Sequence, residues 1–257
     1  MKKLGFTYRM CLEFDTPVCN HYFALRCIPS SNEVQKIQLS NRYVYPANCL
    51  SEVTDGFGNH KYVGQCFNAH DIFEYEVAGT AIVEGMKVQH EKLHPMYKYS
   101  SVYTRPTDNM RKYLRELSLP EDTILRKSVY LMNSLYERFR YVPGSTDIHT
   151  TAGEAFDKNK GVCQDYAHIF ITLCRQSGIP SRYVNGLMIG EGYTHAWVEV
   201  YTGDGWYGLD PTNNLHVDDY YIKLAHGRDY ADCVLDKGIF LGNANQTQEI
   251  YVNVEEL

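Results

Sequence analysis

The chain has 257 residues, 44% hydrophobic and 22% charged, the make-up of an ordinary folded protein with room for one large domain or two smaller ones. Lys and Arg total 25 against 31 Asp and Glu, a net charge of -6, so the basic surface that a nucleic-acid partner requires is absent. No apolar run is long enough to span a bilayer, and Arg9 and Glu13 interrupt the stretch after Lys2 and Lys3, so neither a membrane partner nor a secretory leader is read and a cytoplasmic location is expected. The eight cysteines, at positions 11, 19, 27, 49, 66, 163, 174 and 233, form no CxxC pair, and in such a chain they read as free thiols.

In chain order, strand-forming runs come first: Thr7–Phe14, His21–Ile28, Val34–Ser40, Tyr62–Phe67 and Ile72–Val83. Pro29-Ser30-Ser31-Asn32 and Asp55-Gly56-Phe57-Gly58-Asn59 break them as turns, which predicts an all-β, sandwich-like unit over residues 1–95. His90–Thr107, rich in Tyr and Pro, has no period and reads as a connection. A second unit, 96–257, opens with helical signals. Pro120, Glu121 and Asp122 precede an apolar spacing at Leu125, Val129, Met132, Tyr136 and Phe139, a helix of about five turns. Pro143–Thr151 reads as a polar loop, and Val162–Gln176 as a second helix stopped by Ser177-Gly178-Ile179-Pro180. Three strands are expected next, at Ser181–Ile189, His195–Tyr201 and Trp206–Asp210.

Cys163 falls in the first turn of that second helix, where unpaired backbone N–H groups and the positive end of the helix dipole favour a thiolate. A nucleophile also needs a base and a group that orients the base. His195 opens a strand directly after a glycine-containing loop, and the next strand ends at Asp210. The linking Thr202-Gly203-Asp204-Gly205 is a hairpin signal with either Gly203-Asp204 or Asp204-Gly205 at the turn. His195 then lies opposite Thr212 or Asn214, and in both registers it shares a sheet face with Asp210. Cys163, His195 and Asp210 thus form a candidate nucleophile, base and orienter.

Gly161-Val162-Cys163-Gln164-Asp165, His195-Ala196-Trp197-Val198-Glu199-Val200, and Gly205-Trp206 with Leu209-Asp210-Pro211-Thr212 resemble the three catalytic motifs of the bacterial transglutaminase-like cysteine peptidase family. Phe139–Thr146 and Gly227–Asp232 are similar to that family as well. Gln164 stands where animal transglutaminases carry an aromatic residue, which fits the bacterial branch. The resemblance implies an α+β fold: a papain-like transglutaminase core, with the nucleophile helix packed on an antiparallel sheet, preceded by the β-rich N-terminal domain. It also implies a Cys163–His195–Asp210 triad that cleaves a peptide or protein amide through a thioester on Cys163, with no cofactor. Transfer of the acyl group to an amine, and a non-catalytic peptide-binding module of the same fold, are the alternatives. Presence of all three residues favours the enzyme.

Tyr141, Gln164 and Trp197 are candidate substrate or oxyanion contacts, with the Tyr141 hydroxyl joining the Cys163 N–H on the oxyanion. Other patterns carry less. Gly186–Gly192 precedes a strand instead of opening a helix, so it reads as a mobile loop beside His195 and not as a phosphate cradle. Asp218-Asp219-Tyr220-Tyr221 lacks the spacing of a calcium loop and reads as a solvated acidic turn. Zinc on Cys163, His168 and His195 is disfavoured because a five-residue step does not keep Cys163 and His168 on one helical face.

Overall fold

The computed structural model describes residues 1–257. The chain opens with β1 (Lys2–Leu25), followed by β2 (Gln35–Tyr45), β3 (Cys49–Thr54), β4 (His60–Cys66) and β5 (His70–Val83). Helices α1 (Asp108–Glu116) and α2 (Ile124–Arg138) come next, then the short β6 (Arg140–Tyr141), α3 (Ala152–Lys158), the short β7 (Lys160–Gly161) and α4 (Cys163–Gln176). The rest is strand: β8 (Ser181–Met188), β9 (Gly190–Gly192), β10 (His195–Tyr201), β11 (Trp206–Asp210), β12 (Leu215–His216), β13 (Tyr221–Gly227), β14 (Asp236–Leu241) and β15 (Gln246–Glu256).

β1 unites the first two expected strands. Its alternation holds from Leu4 through Phe6, Tyr8, Met10 and Leu12 to Phe14, all buried, and the backbone stays extended past Pro17. Register shifts after Glu13 and Cys19 bend it from one sheet layer into another, as bulges do. Its first half pairs with β5 and β15, its second half with β4 and β14. Residues 236–256, expected with the second unit, therefore lie in the N-terminal sheet. A 24-residue strand exposes two long hydrogen-bonding edges, and the C-terminal strands cover the second one.

The second unit is an α+β core: a five-stranded antiparallel sheet, in the order β12-β11-β10-β8-β13, with α4 packed on one face. Residues 165–175 of α4 are all buried, and Ala167, Phe170, Ile171 and Cys174 share a core with Val198, Val200 and Leu209 of the sheet and with α2 and α3. Arg175 anchors the far end of α4 by donating to the carbonyls of Tyr97, Ser181 and Arg228 and to Thr104 Oγ1.

Two further helices follow directly after the expected connections, in stretches to which no element was assigned. Thr107 caps α1, and Thr151 with Glu154 forms a capping box on α3, a signal present within Thr151-Ala152-Gly153-Glu154. The segment read as a mobile loop is instead the end of β8 and then β9, which pairs with β15 from Val252↔Gly192 to Val254↔Gly190. Gly190 and Gly192, at φ +110° and +149°, take conformations closed to other residues.

The N-terminal unit braces the core sheet. β13 is an edge strand, and two buried amide side chains stand in for a neighbouring strand. Gln35 accepts from Lys223 N and donates to Lys223 O, while Asn59 does the same at His226. Leu187, Ile222 and Leu224 of the core sheet join the apolar cluster of the N-terminal sheets, so one continuous core spans the junction.

Candidate active site

Cys163 is the first residue of α4, set there by a tight local arrangement. Asn159 ends α3 in the left-handed region (φ 55°), and β7 then runs parallel to β6, with Tyr141 beside Gly161. Val162 precedes the helix but has no capping side chain, and Asp165 supplies the cap from inside. Asp165 Oδ2 accepts from Val162 N (2.8 Å) and from Thr146 Oγ1 (2.6 Å), tying the loop after Tyr141 to the helix start. A methyl group on Gly161 would lie 2.4 Å from that same oxygen, so glycine is required there. Burial pushes the Asp165 carboxyl up against those two hydrogen bonds. Cys163 and Gln164 open α4, where a helix's first N–H groups have no partner within the helix, beside the half-buried thiol.

β10 and β11 pair from Val198↔Leu209 to Tyr201↔Trp206, the register of a Gly203-Asp204 turn. Continued, that register sets Asp210 across from Trp197, on the same face as His195. His195 Nε2 lies 2.7 Å from Asp210 Oδ2. Asp210 is completely buried, and four further donors converge on it. Tyr221 OH (2.9 Å) and Asn213 Nδ2 (2.8 Å) reach Oδ2, while Thr212 N (2.9 Å) and Asn213 N (3.3 Å) reach Oδ1. Burial works against this carboxylate, but the His195, Asn213 and Tyr221 contacts win and hold its pKa below the usual range.

A carboxylate only accepts, so His195 Nε2 carries its hydrogen and Nδ1 is left for the Cys163 thiol. Burial disfavours the imidazolium of His195, yet the Asp210 hydrogen bond and then the Cys163 sulfur outweigh it, raising the pKa to about 10.

The remaining candidates divide. Tyr141 is exposed and lies beside Gly161, two residues before Cys163. Gln164 turns toward the preceding loop, its amide 3.4 Å from the Ile148 carbonyl. Trp197 is 2% exposed and stacks at 6.4 Å behind the His195 ring, a backing for the imidazole and not a surface for ligand. His168 is buried between Tyr103 and Tyr183, its Nε2 taking the Tyr230 amide (3.1 Å), apart from the His195–Asp210 pair.

Sequence reasoning missed Asp165, Asn213 and Tyr221. Asp165 and Asn213 stood inside or beside the motifs already singled out, three residues after Gly161-Val162 and Asp210 respectively; Tyr221 lay in the run read as an acidic turn. Nothing local tells that its hydroxyl folds back onto Asp210.

Residues 111–211 match the family model of the transglutaminase-like superfamily, and the matched segment contains Cys163, His195 and Asp210. Over its whole length the fold is similar to the crystal structure of a Cytophaga hutchinsonii protein described as a candidate cysteine protease, with a TM-score of 0.82, 24% identity and 91% of that chain covered. Among curated proteins, it is 38% identical over 127 residues to the uncharacterized protein ML0607 of Mycobacterium leprae, covering 46% of this chain and 45% of the relative. It is 36% identical over 165 residues to the uncharacterized protein Rv2569c of Mycobacterium tuberculosis, covering 58% of this chain and 52% of the relative. The chain thus spans about half the length of these mycobacterial relatives. No helix is long and apolar enough to cross a membrane.

Proposed function

We propose that this protein is a cysteine-dependent amide hydrolase, a peptidase in class, with Cys163 as nucleophile, His195 as acid and base, and Asp210 as the group that orients His195. The observation that carries the reading is the 2.7 Å contact of His195 with a fully buried Asp210, on a ring whose other nitrogen is free for the thiol. It is supported by the likeness in fold to a candidate cysteine protease.

In this reading the resting pair is Cys163 thiolate and His195 imidazolium. The sulfur attacks the amide carbon, and the oxyanion is taken up by the Cys163 N–H, with the Tyr141 hydroxyl as a second donor. The Nδ1 proton passes to the leaving amine, the C–N bond breaks, and a thioester remains. Water then attacks the thioester, gives a proton to Nδ1 and releases the acid with the thiolate restored.

Hydrolysis is preferred over amine transfer, since a selective transferase has to shield its thioester from water. Trp197 and Trp206, the only tryptophans, are both buried, so neither is placed to wall an acceptor tunnel. Eight free thiols support a reducing compartment, the cytoplasm.

The test is turnover of a peptide and glutamine-amide library by wild type and Cys163→Ala, with millimolar primary amine present and products read by mass spectrometry. Free acid from the wild type alone is expected. Equal turnover by Cys163→Ala removes the nucleophile, and a predominance of amine adduct puts the transferase first.

A further inference from the structure

At the junction of the N-terminal sheets with the core lies an open cavity of about 690 Å³ that Cys163 does not line. Its walls are mostly apolar: Leu12, Phe23 and Phe240 on one side, Tyr103, Ile148 and Tyr230 on the other. Size, apolar lining and a position between two units are those of small-ligand sites. One wall residue is out of keeping. His21 is 2% exposed and sits among Phe14, Phe23, Phe73 and Phe240, with ring centroids 4.6 to 6.0 Å away.

The hydrogen bonds around His21 fix its tautomer. His70 Nδ1 lies 3.0 Å from the Asn68 carbonyl, which can only accept, so His70 Nδ1 donates and its Nε2 is an acceptor. His21 Nδ1, 3.2 Å from that Nε2, is then the donor between the two rings. This leaves His21 Nε2 with a lone pair that takes no protein donor and is free to accept from a molecule in the cavity. Gly238 makes room for it, since a methyl group there would lie 2.6 Å from Nε2. Burial, with His70 beside it, holds His21 down to about 4, so the ring is a neutral acceptor at physiological pH. Of the other polar wall residues, His149, Asp236, Lys237 and Gln246, Asp236 already takes Gln248 Nε2 at 2.8 Å. An apolar side chain would fill the place of His21 without stranding a nitrogen. The relay through His70 instead presents an oriented acceptor on a mostly apolar wall.

We propose that this cavity binds a neutral aromatic group bearing one hydrogen-bond donor, a phenol or an indole in class, with His21 Nε2 accepting from it. Two sources supply that chemistry: a free small aromatic compound, or a tyrosine or tryptophan side chain of a bound polypeptide. Ile148 on the cavity wall is held through its carbonyl by Gln164, the residue after Cys163, so a polypeptide at the thiol passes nearby.

The probe is 4-ethylphenol against 4-ethylanisole, which has the same body and no donor, titrated into Cys163→Ala protein by heteronuclear NMR. Saturable binding of the phenol, about 3- to 10-fold tighter than the anisole, is expected from one neutral hydrogen bond. His21→Phe should abolish that preference. Ala231→Trp, an exposed position on the wall, should weaken both ligands by closing the space, which keeps the test valid if His21→Phe does not fold. No saturable binding of the phenol, equal affinity for the two probes, or binding untouched by Ala231→Trp overturns the proposal. Displacement of the phenol by Ac-Ala-Ala-Tyr-Ala-Ala-NH2, and not by its O-methyltyrosine form, identifies a polypeptide side chain as the occupant; failure of both peptides identifies a free small aromatic. None of these readouts uses turnover at Cys163, so they stand or fall apart from the proposed catalysis.

Discussion

Asp210→Asn is the sharpest perturbation of the proposed triad, because it changes no shape. Oδ2 of Asp210 receives His195 Nε2, Tyr221 OH and Asn213 Nδ2, while Oδ1 receives two backbone amides. An asparagine keeps its oxygen toward the backbone donors, and its NH2 then meets the three side-chain donors. The Tyr221 hydroxyl can rotate to accept, but His195 can accept only by moving its hydrogen from Nε2 to Nδ1, which turns a donor toward the thiol and removes the base. Raising an imidazole from 6.5 to about 10 corresponds to ~5 kcal/mol between its protonation states. Asp210 stands ahead of Cys163 among the favourable contributions, so a few kcal/mol is lost with it. The expected fall in kcat/KM is on the order of 10²- to 10⁴-fold. Iodoacetamide trapping of Cys163 at neutral pH should slow as well, while the fold, followed by far- and near-UV circular dichroism, stays intact. Wild-type trapping rates together with amide turnover within tenfold of wild type would refute the assignment of Asp210 as the orienting group.

Among the eight thiols, Cys163 should react first with iodoacetamide in peptide mapping, since it alone combines a helix N-terminus, partial exposure and a nearby imidazole; faster labelling of the buried Cys174 would contradict that. The His195 pKa lies above its ordinary value, so the stabilisation from its charged form is full below about pH 6.5 and is lost as the pH rises through about 10. Between pH 7 and 10.5 the wild type should therefore lose more thermal stability than Asp210→Asn, and its kcat/KM should decline toward the upper limit. Gly161→Ala places a methyl 2.4 Å from Asp165 Oδ2 and should cost about 1–3 kcal/mol, read as a fall of several degrees in Tm with slower trapping of Cys163. Gln35→Ala removes both bonds to Lys223 and should speed hydrogen exchange at that amide, at a cost of about 1–3 kcal/mol.

The sequence by itself determined the elements whose residues signal locally. Alternation announced the strands, and the Gly203-Asp204 turn set the parity that places His195 and Asp210 on one face. The apolar run of α4 and its glycine stop located Cys163 at a helix start, because dipole and free amides depend only on where a helix begins. What stayed hidden depends on contacts between residues far apart in the chain. That β1 runs unbroken through both sheet layers, and that β14 and β15 return to it, follows from edges needing partners, which no local pattern records. The bracing of β13 by Gln35 and Asn59 joins positions more than 160 residues apart. Tyr221 on Asp210 and Asp165 beneath Gly161 are likewise decided by packing: a buried polar atom must be satisfied by whatever the tertiary structure brings to it, and only the folded chain says which residue that is.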